Sequence, residues 1–349
     1  MRVGIVFVQV PFVRGGAEFL ADGLLYHLKR RGIEAELITL PFKWYPTERI
    51  LDAMLTARLT DITESNGMQI DRIITLKFPS YYIPHPNKVL WLLHQHRQAY
   101  DLYDTEFSDL HRTQFGREVV SEIKFWDESL LPDHQLSFSI SQRVSERLMR
   151  YNQLGADPLY PPPTHPDSYH CKDSEPFILV PGRLSKIKRQ KLIIEAIKEV
   201  PFRMKLVFIG QDDEPYPYAK DCKDFVVRNQ LQDIVSFNGR VSEEQKIDLF
   251  SRCFAVYNGV YDEDYGYITP EAFLSEKPVI AHDDSGGPLE FIVHQVNGLI
   301  CKPEPNALAQ SLMYLLEKPK ITKKMGQAGK DSLKNKNLDW NYVIDRLLS

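Results

Sequence analysis

Two glutamates separated by seven residues, in Glu263-Asp264-Tyr265-Gly266-Tyr267-Ile268-Thr269-Pro270-Glu271, are the most chemically suggestive stretch of this chain. They follow an apolar run at Ala255-Val256-Tyr257, and Pro270 suits the first turn of a helix opening just after Gly266. That puts Glu263 in a loop at a strand end and Glu271 early in the helix, both near one cleft. Carboxylates there accept hydrogen bonds from sugar and ribose hydroxyls. Backbone N–H groups of the loop at Tyr265 and Gly266, and of the helix start, meet anionic or hydroxyl oxygens. The competing reading is acidic residues decorating a helix N-terminus, where the dipole favours them in any case.

A basic segment offers the complementary chemistry. Gly182-Arg183-Leu184-Ser185-Lys186-Ile187-Lys188 follows the apolar run Phe177–Val180 and is expected to open a helix. A flexible glycine, a bidentate guanidinium and an ammonium at a helix start make a diphosphate clamp. Arg183 and Lys188 are the candidates, with Lys186, Arg189 and Lys191 read as the solvated face of the same helix; the alternative is a merely basic helix terminus.

Two shorter segments sit at other strand ends. In Arg14-Gly15-Gly16-Ala17-Glu18, paired glycines let a phosphate or sugar approach the backbone closely, or simply make a tight turn. The pattern is not G-x-G-x-x-G, so a nicotinamide dinucleotide reading loses its main support. His94-Gln95-His96-Arg97 ends the run Val89–Leu93. His94 reads either as a structural histidine or as a candidate site residue, with His96 and Arg97 as alternates on the donor or the acceptor side. Two histidines without a third ligand nearby do not make a metal site.

The elements that must position these groups alternate in period. Strands are expected at Val3–Val8, Glu34–Leu40, Ile70–Leu76, Val89–Leu93 and Leu136–Ile140, with a helix at Ala17–Arg30 ended by Gly32. A second series begins at Phe177–Val180 and continues through Lys205–Ile209, Ile234–Phe237, Ala255–Tyr257 and Val279–Ala281, with interleaved helices that include 219–228, 304–317 and 320–335. Between the series, four prolines among positions 161 to 166 exclude helix and central strand, and read as a linker. Two α/β series imply two Rossmann-like doubly wound domains, residues 1–160 and 161–335, and a C-terminal helix over 336–349 whose path back to the first domain is left open. Ligands of such sheets bind at the carboxyl ends of the strands, so a central cleft is the expected active site.

The stretch Glu263 to Glu271 resembles the E-x7-E motif of retaining glycosyltransferases with the GT-B fold, specifically family 4 (glycosyl transferases group 1). The continuation Ala272 to Ala281, then Ser285-Gly286-Gly287-Pro288-Leu289-Glu290 and Asn297-Gly298-Leu299, is similar to that family in the same order. Gly182 to Lys188 resembles its G-R-L-x-x-x-K motif, and Gly15-Gly16 its glycine loop facing the donor phosphates. Leu206 to Gln211 resembles a strand ending in G-x-G, with Asp212 replacing the second glycine. Val235 to Val241 resembles the F-x-G-x-V turn that faces the base. The resemblance implies that Glu271 holds ribose, Glu263 contacts the transferred sugar, Arg183 and Lys188 neutralise the departing diphosphate, and His94 reaches sugar hydroxyls. It implies nucleotide contacts at Gly15, Gly16, Arg240, Val241, Tyr265 and Gly266, no metal, and no cofactor beyond a nucleoside diphosphate sugar, a UDP-sugar favoured.

Bulk properties agree. The chain has 349 residues, 43% apolar and 26% charged, which suits a folded protein of two domains rather than a disordered one. A net charge of −4 gives no global attraction to nucleic acid. Cys171, Cys222, Cys253 and Cys301 are scattered without zinc or disulfide spacing, which fits a reducing compartment. No run approaches the roughly 20 apolar residues a spanning helix needs, leaving a cytoplasmic location and peripheral attachment to the inner face of the plasma membrane open. Aromatic segments at 41–46 and 78–84 read as loop packing or as docking for an acceptor sugar or lipid-linked acceptor. The expected activity is metal-independent hexosyl transfer from an NDP-sugar to a saccharide or lipid-linked saccharide, in cell-surface polysaccharide synthesis. The rivals are a nucleotide-sugar epimerase of the same architecture, which needs no acceptor, and a non-catalytic sugar-nucleotide-binding partner. The oligomeric state is left open.

Overall fold

The computed structural model describes residues 1–201, 204–212 and 217–349. The chain forms two compact units, Met1–Thr164 with Leu338–Ser349, and His165–Asn337.

The first unit runs β1 (Arg2–Gln9), α1 (Gly16–Arg30), β2 (Glu34–Pro41), α2 (Glu48–Leu59), the short antiparallel hairpin β3 (Glu64–Ser65) and β4 (Met68–Gln69), β5 (Arg72–Thr75), β6 (Lys88–Leu92), α3 (Gln114–Leu130), β7 (Leu136–Ser139), α4 (Gln142–Asn152) and β8 (Asp157–Pro158). Its sheet is parallel, in the order β2-β1-β5-β6-β7-β8. β1 and β6 are apolar nearly end to end and buried, the signature of strands covered on both faces. α1 lays Leu20, Ala21, Leu24 and Leu28 on the sheet and stops at Gly32, whose φ of +74° glycine adopts without strain.

The second unit runs β9 (Phe177–Pro181), α5 (Gln190–Ile197), β10 (Lys205–Ile209), α6 (Tyr218–Arg228), β11 (Val235–Phe237), α7 (Glu243–Arg252), β12 (Ala255–Tyr257), α8 (Ile268–Leu274), β13 (Val279–His282), β14 (Gly298–Cys301), α9 (Pro305–Glu317) and α10 (Pro319–Leu333). Its sheet, again parallel, has the order β11-β10-β9-β12-β13-β14. Successive strands step outward from β9, then return to its other side with β12. The loops after β9 and β12 therefore diverge and leave a crevice at their carboxyl ends, where doubly wound sheets bind ligands. The core beneath it packs Ile178, Val180, Ile193, Ile197, Leu206, Phe208, Leu308 and Leu312.

Helices α2, α3 and α7 add to the elements expected from sequence; each carries only a few buried apolar positions among polar ones. The boundary between the units, after Thr164, falls within the proline run expected as a linker, and the first part of that run is packed, with Pro161 to Pro163 buried. The last helix, α11 (Trp340–Leu348), closes the first unit. Trp340 donates from Nε1 to the Pro163 carbonyl at 2.9 Å and stacks on His27 at 4.9 Å, while Arg72 Nη1 donates to the Leu347 carbonyl at 3.0 Å. Among the described residues no helix is long and apolar enough to cross a membrane.

Candidate active site

At the switch point of the second unit, Gly182 to Lys188 leaves β9 and residues 258–267 leave β12. Gly182 (φ +114°) and Gly210 (φ +133°) hold neighbouring strand ends together. A Cβ on Gly210 would overlap the Gly182 carbonyl, so only glycine permits this approach. Gly182 N–H donates to the Ile209 carbonyl at 2.8 Å and Leu184 N–H to that of Gln211 at 3.1 Å, which brings the basic loop across the top of the sheet.

The helix expected to open at this motif begins later. Lys186–Lys188 is a single 3-10 turn, Arg189 follows in the left-handed region (φ 54°), and α5 starts at Gln190. Lys188 thus sits on a turn. Arg189 does not lie on a solvated helix face as expected; its guanidinium forks onto Asp284 at 2.6 and 2.7 Å and lies over the Tyr261 ring. Lys186 is exposed, and Arg183 is half-buried with its carbonyl accepting from Gln190 Nε2 at 2.8 Å. Lys188 Nζ forms an ion pair with Glu263 Oε2, so the cation of one motif and the first carboxylate of the other meet directly. Glu263 is itself held by backbone: its N–H donates to the Ser285 carbonyl at 3.0 Å and its carbonyl accepts from Gly287 at 2.8 Å. Gly286 (φ +72°) lets that third loop lie against Glu263, where any Cβ would strike the Glu263 carbonyl.

Glu271, in the first turn of α8, is buried. Its Oε1 accepts from Tyr169 Oη at 2.9 Å and from Lys246 Nζ at 2.8 Å. Lys246 also pairs with Glu243 at 2.9 Å. Burial opposes the charge on Lys246, but Glu271 and Glu243 outweigh it and hold the ammonium above its ordinary range. Burial and the adjacent Glu271 push the Tyr169 hydroxyl far up, so it stays a donor. The Tyr265 ring is buried between Tyr267 and Phe291, which leaves its backbone as what it can offer a ligand; Gly266 has φ +81°. Arg240 is exposed and Val241 half-buried, both following the edge strand β11 and leading into α7, the helix that carries Lys246. Asp212, in place of the second glycine of G-x-G, pairs with Lys223 Nζ on α6 at 2.5 Å.

Gly15, Gly16 and His94 belong to the first unit. Gly15 is the N-cap of α1 with extended backbone, and its N–H donates to Glu18 Oε2 at 2.6 Å; Gly16 is exposed. Glu18 also lies 3.7 Å from Lys77 Nζ, and the Lys77 ammonium stands over the Phe7 ring. His94 is half-buried, with Nδ1 2.7 Å from the Gln95 carbonyl; a carbonyl only accepts, so that nitrogen carries the proton. His96 is buried edge-on against Phe78, and burial followed by the charge of His94 lowers it to about 4. Arg97 is paired with Asp101 at 2.6 Å. Among the described residues no cluster of three His, Cys, Asp or Glu could hold a metal ion.

Residues 163–332 match the model of the family described as glycosyl transferases group 1. That match takes in just under half of the chain and nearly all of its second unit, which is where the similarity to group 1 glycosyltransferases lies. A segment of 124 residues is 36% identical to the alpha-1,3/1,6-mannosyltransferase ALG2 of Mus musculus, covering 35% of this chain and 30% of that protein. The chain thus aligns with less than a third of that relative's length. In structure it is similar to the sucrose-phosphate synthase of Thermosynechococcus elongatus (TM-score 0.76, 17% identity, 97% and 96% of the two chains). It is also similar to Anabaena HepE in complex with UDP-glucose (TM-score 0.70, 18% identity, 99% and 98%). The fold is GT-B, two parallel-sheet α/β domains.

In the second unit Tyr169, Lys246, Arg189 and Asp284 join the candidate residues, and the motifs did not announce them. Lys246 sits 25 positions from Glu271, and Tyr169 102 positions from it. No local spacing signals such pairs. Only Arg189 carried a hint, as an arginine adjoining a phosphate-type motif.

Proposed function

We propose that the chain is a retaining glycosyltransferase that binds an NDP-sugar on its second unit and takes a saccharide or lipid-linked saccharide acceptor on its first. The observation that carries this is the meeting of Lys188 with Glu263 at the β9/β12 switch point, on the same sheet edge as the anchored Glu271. A diphosphate needs cations and a sugar needs hydrogen-bond acceptors; here the two are adjacent and paired with one another. On donor binding Lys188 turns to the diphosphate with Arg183, and Glu263 is released to the hydroxyls of the transferred sugar. Charge growing on the departing diphosphate is then stabilised by Arg183 and Lys188, the kind of interaction that accelerates such a step. Glu271 takes the ribose hydroxyls, with Arg240, Val241 and the Tyr265-Gly266 backbone toward the nucleotide. The glycine-loop resemblance assigns Gly15 and Gly16, in the first unit, a phosphate-contacting role. His94 contacts sugar hydroxyls; it is preferred to His96, which is packed against Phe78.

The transfer proceeds on one face of the sugar, with the leaving phosphate assisting the incoming hydroxyl, so that configuration at the anomeric carbon is retained. A UDP-sugar is favoured as donor because HepE, of the same fold, is described with UDP-glucose. The similarity to a mannosyltransferase supports a hexosyl group and keeps GDP-sugars in consideration. The test is a thermal-shift panel of UDP-, GDP- and ADP-sugars, in which a ligand at about 100 times its Kd adds roughly 2.7 kcal/mol of stability. No shift with any sugar nucleotide at millimolar concentration would sink the reading, as would a glycosyl–enzyme adduct trapped on a carboxylate.

A further inference from the structure

We infer that Arg189 and Asp284 form a clamp that positions the Lys188 turn before donor arrives; this rests on the proposed role of Lys188. Arg189 has φ 54° and ψ 33°, a left-handed conformation that strains a residue with a Cβ and that glycine adopts freely. Nothing in the turn itself asks for arginine. The side chain accounts for it. Both terminal nitrogens fork onto the two oxygens of Asp284, at 2.6 and 2.7 Å, and the guanidinium carbon lies 5.0 Å from the Tyr261 ring centre. The Arg189 carbonyl accepts from Tyr257 Oη at 3.4 Å, and that hydroxyl is 2.9 Å from His282 Nε2.

These contacts tie together three loops that follow different strands. Arg189 ends the loop after β9, Tyr261 lies on the loop after β12, and Asp284 on the loop after β13. Backbone bonds run alongside: Tyr261 N–H to the Ile187 carbonyl at 2.8 Å, and Asp262 N–H to the Asp284 carbonyl at 2.9 Å. Lys188 and Glu263 are each the immediate chain neighbour of a residue in this tie. A long lysine side chain on a loose turn loses its aim to rotation of the backbone; a planar, two-point fork on the next residue fixes that backbone. Arg189 is thus a positioning residue whose guanidinium need not touch the donor.

The experiment compares wild type with Arg189→Gly and Asp284→Asn. Arg189→Gly keeps the left-handed turn and removes the fork; Asp284→Asn keeps Arg189 and weakens the fork. The clamp predicts, in both, faster amide exchange over residues 183–188 in the ligand-free protein. It also predicts kcat reduced about 10- to 100-fold, the size of effect that a misplacement of order 1 Å produces. KM and the Kd for UDP and GDP should change less than kcat, and Arg189→Gly should melt within a few degrees of wild type. The double variant should be no slower than the slower single one. Turnover is measured with whichever of UDP-glucose, GDP-mannose or ADP-glucose the wild type uses. Unchanged loop exchange in both variants, or unchanged kcat in Arg189→Gly, overturns the clamp. A wild type that turns over none of these donors while the variants still loosen the loop instead overturns the function assigned to the site.

Discussion

Replacing Lys246 with methionine removes a positive charge that sits on Glu271 while keeping length and most of the packing. Lys246 Nζ is 2.8 Å from Glu271 Oε1 and 2.9 Å from Glu243 Oε1; the side chains of Lys246 and Glu271 are 20% and 11% exposed. At an effective dielectric of 20 the closer pair alone amounts to roughly 6 kcal/mol of gross attraction, most of it offset by desolvation. Breaking a buried pair by deleting one partner costs about 3–5 kcal/mol, because the other charge stays buried. Partial exposure of Lys246, and the Tyr169 hydroxyl still donating at 2.9 Å, bring the expected loss to about 2–4 kcal/mol. In a unit of about 170 residues this lowers Tm by about 5–15 °C. Lys223→Met is the control: Lys223 is 44% exposed and Asp212 33%, so losing that pair should cost under about 1 kcal/mol. Glu271 also loses its alignment, so UDP or GDP should bind about tenfold more weakly, near 1.4 kcal/mol. Calorimetric titration and scanning calorimetry measure the two effects. Should Lys246→Met melt and bind like Lys223→Met, the assignment of Lys246 as the anchor of Glu271 is wrong.

Glu263→Ala is expected to lower kcat by about 100-fold or more while leaving UDP or GDP binding within a few fold, since its contacts are made to the sugar; equal loss in both would refute that division. His96 is held neutral at about 4 against an ordinary 6.5, so its stabilising effect is present above pH 6.5 and is lost as pH falls from 6.5 toward 4. The difference of about 2.5 units is on the order of 3 kcal/mol, and His96→Phe should flatten this part of the denaturation profile against pH. Trp340→Ala removes a buried indole that donates to the Pro163 carbonyl and stacks on His27, for a loss of about 3–5 kcal/mol in urea unfolding; a change below 1 kcal/mol would show that α11 does not secure the first unit.

The doubly wound character of both sheets was legible because parallel strands buried on two faces must be apolar along their length. Phe177–Pro181 and Val279–His282 announce themselves for that reason. α3 did not, since its buried face is only Gly116, Val119, Val120, Ile123 and Asp127, the last a carboxylate held by three tyrosine hydroxyls. In the candidate site the two glutamates and Lys188 were legible from residue type at strand ends. The start of α5 was misplaced because a left-handed arginine interrupts the turn, and backbone handedness leaves no periodic trace.

Composition and local order were enough to determine which groups carry charge, which strands lie inside, and that a carboxylate motif and a basic motif each follow a strand. Those properties depend on neighbours within a few residues. Tertiary structure alone decided that Lys188 meets Glu263, that Glu271 leans on Tyr169 and Lys246, and that Asp284 grips Arg189. Such pairings join residues from 25 to 102 positions apart, and they exist only once strand order has placed β9 beside β12 and β12 beside β13. The physical reason is that an ion pair acts over a few ångströms of space, a distance that sequence separation does not encode.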